Sequence, residues 1–192
     1  MQPYLFRLKI EAGEDVLLTR GEGRQVAAKL RRRVVDPLPL VLDFGGVKAA
    51  TPSFLDEVCG EIDLLLRRYR DDGMLVVATH MTDEVTESFI YVLERHRHSL
   101  AYFHGDDIDL LNAPPHLVET LRAAVELGGE FTVPELAEAL SVKTNALNQR
   151  LASLLEAGAV ARERDLRAER GVRYRYRTPS KRMVNPKSLA RA

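Results

Sequence analysis

The 192-residue sequence contains a single cysteine, no long apolar run and no recognisable secretion signal. One cysteine cannot form an internal disulfide and excludes a four-cysteine zinc site, so a reducing, cytoplasmic setting is expected. No stretch approaches the roughly 20 apolar residues that a membrane-spanning helix needs, so no membrane association is expected. The first residues, MQPYLFRLKI, lack the charged start, apolar middle and small-residue cleavage site of a signal peptide.

Motifs for catalysis or ligand binding are also scarce. No Ser-His-Asp, Walker or zinc-protease pattern occurs, so we expect neither an enzyme nor a bound cofactor. Gly21-Glu22-Gly23 begins a G-x-G pattern, but Val26 stands where a dinucleotide-binding loop has Gly or Ala. His96 and His98 are two residues apart and would point apart on a helix, so no metal site is predicted. Cys59 lies on an apolar helix face and is predicted to be a packed thiol.

Charge is balanced overall but unevenly distributed along the chain. Residues 1–113 hold 14 basic and 19 acidic residues, whereas residues 114–192 hold 14 basic and 9 acidic. The last 33 residues alone contain 11 basic and 3 acidic side chains. This asymmetry indicates two different roles, with the basic half facing an anion such as nucleic acid. A merely solvated basic tail is the alternative.

Residues 1–112 alternate between strand and helix patterns. The pattern predicts an α/β domain with a mixed or mostly parallel sheet and helices packed on it. Thr19 and Glu22 fit a capping box at the start of the first helix. The predicted strands are 4–10, 40–44, 74–78 and 100–103, and two later helices fall at about 54–69 and 83–97.

Asn112-Ala113-Pro114-Pro115 marks the predicted boundary, because two prolines continue neither a helix nor a strand. Residues 113–178 then show the parts of a winged helix, namely three helices and a two-stranded hairpin as the wing. The helices are predicted at 117–127, 134–140 and 143–156, and the strands at 159–164 and 172–177. The basic tail 179–192 is predicted to be flexible.

The segment ELAEALSVKTNALNQRLASLLEAGAVAR, residues 135–162, resembles the helix-turn-helix of winged-helix bacterial regulators of the MarR and ArsR type. The match rests on Leu136-Ala137 with Leu140, on Ala146-Leu147 and on Glu156-Ala157-Gly158-Ala159-Val160. It implies that the third helix reads DNA.

The residues themselves support a DNA-reading role. Short polar side chains on the outward face of a recognition helix can reach base edges, and Asn or Gln can pair bidentately with adenine. The predicted base-reading residues are Lys143, Thr144, Asn145, Asn148 and Gln149. Arg150 is predicted to contact a phosphate. The alternating stretch GVRYRYR would place Arg173, Arg175 and Arg177 on one strand face, suited to phosphates or the minor groove. The alternative is that its tyrosines are core and its arginines only solvated.

A second resemblance covers roughly residues 1–112. Asp43-Phe44-Gly45-Gly46-Val47 followed by Thr51-Pro52-Ser53-Phe54-Leu55 resembles the STAS domain of anti-sigma factor antagonists and its STAS-like relatives. The resemblance puts Ser53 at the position that a partner kinase phosphorylates. Two structural alternatives stay open: Ser53 with Asp56 fits a capping box, and Thr51 can cap a helix that starts at Pro52.

Together these patterns predict a cytoplasmic DNA-binding transcriptional regulator. The STAS-like domain would bind a protein partner, such as a histidine-kinase-like ATPase or an anti-sigma-type protein, or would form a homodimer. The C-terminal winged helix would bind double-stranded DNA. The alternative is an anti-sigma-antagonist-like adaptor whose winged helix binds protein.

Overall fold

The computed structural model describes residues 3–70, 72–164 and 174–184. In chain order the elements are β1 (Tyr4–Arg7), α1 (Leu8–Ala12), β2 (Val16–Leu17), α2 (Arg20–Arg33), β3 (Leu40–Asp43), β4 (Ala49–Ala50), α3 (Pro52–Arg68), β5 (Val76–Thr79), α4 (Asp83–His96), β6 (Leu100–His104), β7 (Asp107–Leu111), α5 (Pro115–Glu126), β8 (Glu130–Phe131), α6 (Val133–Ala139), α7 (Thr144–Glu156), β9 (Ala161–Arg164), β10 (Tyr174–Arg177) and α8 (Lys181–Val184). The predicted α/β class is therefore confirmed.

The largest sheet has five strands in the order β1-β3-β5-β6-β7. The first four are parallel, and β7 returns antiparallel to β6 in a tight hairpin. The short β2 and β4 form a separate parallel pair. Because the parallel strands point the same way, their carboxyl ends share one edge of the sheet, which is where ligands bind in open α/β sheets.

The prediction that the first strand reaches Ile10 is wrong. The strand ends at Arg7, and the chain turns at once into the one-turn helix α1, which stops at Gly13 with a left-handed φ of 84°. Leu8 is fully buried, whereas Ile10 is 65% exposed. Leu8 and Ile10 alternate with polar residues, and so short an apolar pattern fits either a strand or a helix. The burial of Leu8 favours the helix.

Helices α2, α3 and α4 cover one face of the sheet. Thr19 and Glu22 form the predicted capping box at the start of α2, with Glu22 N–H to Thr19 Oγ1 at 3.2 Å and Thr19 N–H to Glu22 Oε2 at 3.0 Å. Behind this cap, Val26 and Leu30 are buried. Phe54, Leu55, Val58, Cys59, Ile62, Leu65 and Leu66 of α3, together with Val85, Phe89, Val92 and Leu93 of α4, are buried in the core of this layer.

The C-terminal helices cover the opposite face. Val41, Val77, Ala101 and Phe103 of the sheet belong to one continuous buried cluster with Leu117, Leu121, Leu136, Leu147, Leu151 and Leu154. A backbone hydrogen bond from Val76 N–H to the carbonyl of Gly158 (2.9 Å) joins the edge of this cluster to β5. The central strands are therefore buried on both faces, which accounts for their nearly continuous apolar sequence.

Beyond the sheet face, the described residues 115–164 and 174–177 form three helices and a small antiparallel sheet in the order β8-β10-β9. Phe131 of β8 pairs with Tyr176 of β10, and their rings stack with centroids 5.5 Å apart. The strand pairing of β9 with β10 agrees with the predicted hairpin, whose connecting residues 165–173 lie outside the described residues. The predicted flexible tail includes the short helix α8.

Among residues 3–70, 72–164 and 174–184, no helix has both the length and the apolar character to cross a membrane.

Candidate nucleic-acid interface

Helix α7 is held along one side and by the tight turn that precedes it. Leu147, Leu151 and Leu154 are buried at spacings of four and three residues, as expected for one helix face. The turn before α7 contains Ser141 in the left-handed region (φ 53°), and Val142 N–H bonds the carbonyl of Ala137 at 3.0 Å. This tight turn fixes the direction of α7 relative to α6.

The N-cap of α7 and the exposed part of its first turns hold the residues that the sequence predicts to read bases. Lys143, Thr144, Asn145, Asn148 and Gln149 are all exposed. The segment 143–149 contains no acidic residue, so no carboxylate within it would repel a phosphate backbone. The three amides carry both donors and acceptors, which is what recognition of base edges requires.

Arg150 faces inward instead of joining this surface. Its guanidinium donates to Thr120 Oγ1 at 3.2 Å and lies 3.6 Å from the Glu119 carboxylate on α5, and its side chain is only 21% exposed. The phosphate contact predicted for Arg150 is not supported by this placement. The sequence could not reveal a partner that lies 30 residues away in the chain.

Of the three arginines predicted to share one strand face, the two that the structure describes have different surroundings. Arg173 lies outside the described residues. Arg177 forms an ion pair with Glu163 on the neighbouring strand, and its side chain is 20% exposed. Arg175 is exposed, and after the hydrogen bonds from Thr132 its charge helps to hold the pKa of Glu135 below the usual range. Of the described pair, Arg175 is the more exposed residue.

Tyr176 is buried, as expected for the face opposite the arginines, whereas Tyr174 is exposed beneath the Arg162 guanidinium, 5.0 Å from its ring centroid.

The second predicted site is the start of α3. Thr51 is the N-cap: its Oγ1 accepts from Phe54 N–H at 3.3 Å and donates to the carbonyl of Leu18 at 2.6 Å. Ser53 is the second residue of the helix and is exposed. The alternative in which Ser53 and Asp56 form a capping box is wrong, because Ser53 lies inside the helix and Asp56 pairs with Arg20 and His96. Phosphorylation of Ser53 stays a prediction.

Replacing Thr51 with Ala is expected to lower the free energy of unfolding by about 1–2 kcal/mol, because a helix cap and a second hydrogen bond are lost together. Ser53→Ala is the matched control and should change stability by less than about 0.5 kcal/mol, since an exposed hydroxyl is removed. Urea unfolding of both variants measures the difference. Equal losses would contradict the assignment of Thr51 as the cap.

The carboxyl edge of the parallel sheet holds a polar group that the sequence analysis missed. Asp43 at the end of β3 accepts from Gly45 N–H, and its Oδ1 lies 2.9 Å from His80 Nδ1. Arg7 at the end of β1 lies 3.8 Å from the same carboxylate. His80 has a left-handed φ of 57°, an uncommon conformation for a residue other than glycine. The only available signal was that each residue follows or ends a strand.

A second missed cluster lies where α3 and α4 meet. The prediction that His96 and His98 point apart is wrong, because α4 ends at His96 and Arg97 adopts a left-handed φ of 53°. This turn brings His96 Nδ1 to 3.2 Å and His98 Nδ1 to 3.4 Å from the two oxygens of Asp63. Cys59 is buried beside Asp63 as a packed thiol, and burial, then the carboxylates of Asp63 and Asp56, raises its pKa.

Comparison with known proteins gives no guide to identity: no family model matches the chain, and neither a curated protein nor a solved structure shows significant similarity to it.

Proposed function

We propose that this protein is a DNA-binding regulator whose helix α7 reads a duplex. The single observation that carries the proposal is the exposed surface formed by Lys143, Thr144, Asn145, Asn148 and Gln149, hereafter the α7 polar face. It combines one cation with three amides, and the buried leucines on the other side hold it in place. An exposed helix face of this kind, with no acidic residue in 143–149, suits entry into a major groove.

The surrounding elements support a winged helix as the module that presents α7. Two helices precede it, and β9 and β10 follow it as an antiparallel pair. The β9–β10 pair would contact the DNA phosphate backbone, and Arg175 of β10 is an exposed cation on it. A single module reads a short site, so we propose that the STAS-like N-terminal part forms a homodimer or receives a protein partner.

The salt dependence of duplex binding tests the proposal. The full chain should bind a labelled mixed-sequence duplex by fluorescence anisotropy, with affinity falling steeply between about 50 and 200 mM salt through release of counterions. Each phosphate neutralised contributes about −0.9 to the slope of log affinity against log salt. Lys143→Ala should therefore give a slope shallower by up to about 0.9.

Arg32→Ala is the matched control, because Arg32 is exposed on α2 in the layer on the far side of the sheet. It should leave the slope unchanged. Absence of duplex binding at about 50 mM salt would reject DNA as the ligand and favour a protein partner. Deleting the C-terminal part is a poor control, because it would uncover Val41, Val77 and Phe103 on the second face of the sheet.

A further inference from the structure

Three different metal-ligating groups converge between α3 and α4. Cys59 and Asp63 lie one turn apart on α3, and His96 is the last residue of α4. The cysteine sulfur, a carboxylate oxygen and a ring nitrogen all lie within 4.8 Å of one another. We propose that Cys59, Asp63 and His96, hereafter the Cys-Asp-His site, bind one divalent ion of the zinc class.

The ligand set matches the chemistry of zinc. Zinc takes sulfur, nitrogen and oxygen ligands at about 2.0–2.3 Å, which places neighbouring ligand atoms about 3–4 Å apart. The three groups therefore need movements of about 1 Å or less to close on an ion. Thiolate and carboxylate together carry two negative charges, so they neutralise a divalent cation in this partly buried position.

Asp56 contacts the His96 ring in the way that orients a metal-binding imidazole. One ring nitrogen, Nδ1, faces Asp63 at 3.2 Å, and the other, Nε2, lies 3.0 Å from Asp56 Oδ1. With Nδ1 on the ion, Nε2–H donates to Asp56, as the outer nitrogen of a ligating histidine commonly does to a carboxylate. Asp56 is itself held by Arg20 at 3.1 Å and by Arg95 at 3.7 Å.

Two of the three ligands, Asp63 and His96, line a cavity with room for a fourth ligand, whereas Cys59 is buried behind them. A cavity of about 240 Å³ is lined by Asp63, His96, His98 and Glu156, by Leu66 and Leu155, and by the cationic side chains of Arg67, Arg70 and Arg97. His98 Nδ1 lies 3.4 Å from Asp63 Oδ1, and its Nε2 is buried with no hydrogen-bond partner among the described residues. A water molecule can fill the fourth position, and binding releases the Cys59 proton to solvent.

Cobalt(II) is the probe, because a thiolate ligand gives it a strong near-ultraviolet charge-transfer absorption. The full chain, stripped of metal, should bind one cobalt per chain with this band, and zinc should then displace the cobalt and abolish the band. Cys59→Ser should remove the band. The readout involves no DNA, so its failure and failure of the proposed regulator function are separate results.

Two further variants keep the test decisive if the buried Cys59→Ser change prevents folding. Asp56→Asn keeps all three ligands and should weaken cobalt binding by about 10- to 100-fold, as loss of an outer-shell partner does. His104→Gln, at an exposed position at the other end of β6, is the control and should change nothing. Cobalt binding without the thiolate band, no binding in excess cobalt, or an unchanged affinity in Asp56→Asn would overturn the proposal.

Discussion

The triple substitution Asn145→Ala/Asn148→Ala/Gln149→Ala is expected to lower the affinity for a duplex selected by the wild-type protein by at least about 100-fold. Each bidentate amide–base pair contributes about 1–3 kcal/mol of discrimination, so the loss of three pairs costs at least about 3 kcal/mol, which corresponds to slightly more than about 100-fold. All three side chains are exposed, so the melting temperature should stay within a few degrees of wild type. Fluorescence anisotropy with the selected duplex measures the change.

Non-specific binding separates base reading from simple charge attraction. The triple variant keeps Lys143 and Arg175, so its affinity for an unrelated duplex should stay close to that of the wild type. Gln25→Ala is the matched control, because Gln25 is an exposed amide on α2 in the opposite layer. Equal affinity of the triple variant and wild type for the selected duplex would show that the α7 polar face does not read bases.

Gly158→Val is expected to cost about 2–5 kcal/mol of unfolding free energy. Gly158 has a left-handed φ of 64°, and a Cβ there would lie 2.5 Å from Leu66 Cδ2 and 3.4 Å from Val76 N. Left-handed backbone costs a side-chain-bearing residue about 1–2 kcal/mol, and overpacking adds about 1–3 kcal/mol. Urea unfolding monitored by circular dichroism gives the difference.

Gly128→Val isolates the packing contribution. Gly128 also has a positive φ, of 95°, but a Cβ there would meet nothing within 4 Å. This control should carry only the conformational cost. Because the sheet and the C-terminal helices share one buried cluster, both variants and the wild type should unfold in a single transition. Equal losses in the two valine variants would contradict the close contact between Gly158 and α3.

Local features of the fold were predictable because their signals lie within a few residues. The capping box of Thr19 and Glu22, the helices around them and the apolar strands at Leu40 and Val76 follow from short patterns. The strand β7 escaped prediction even though Ile108 and Leu110 alternate with Asp107 and Asp109. Its acidic residues resemble a loop, and pairing with β6 is what makes it a strand.

Long-range contacts explain what the sequence did not reveal about the candidate sites. Helix periodicity predicts that the polar residues at the start of α7 are exposed, and they are exposed in the structure. Their role in reading bases stays a prediction. The inward position of Arg150 depends on Thr120 and Glu119 of another helix. The approach of both His96 and His98 to Asp63 depends on one left-handed residue, Arg97, which helix periodicity does not predict.

Site-directed cleavage from α7 tests the central claim most directly. The single native thiol, Cys59, is buried, so Asn148→Cys would introduce the only accessible attachment point for an iron–EDTA cleavage reagent. If α7 enters the groove, the labelled Asn148→Cys protein should cut a bound duplex within a few base pairs of one position. The same reagent on Gln25→Cys, in the opposite layer, should give little or no cutting. Equal cutting from both positions, or none from Asn148→Cys on a duplex that the protein binds, would contradict DNA reading by α7.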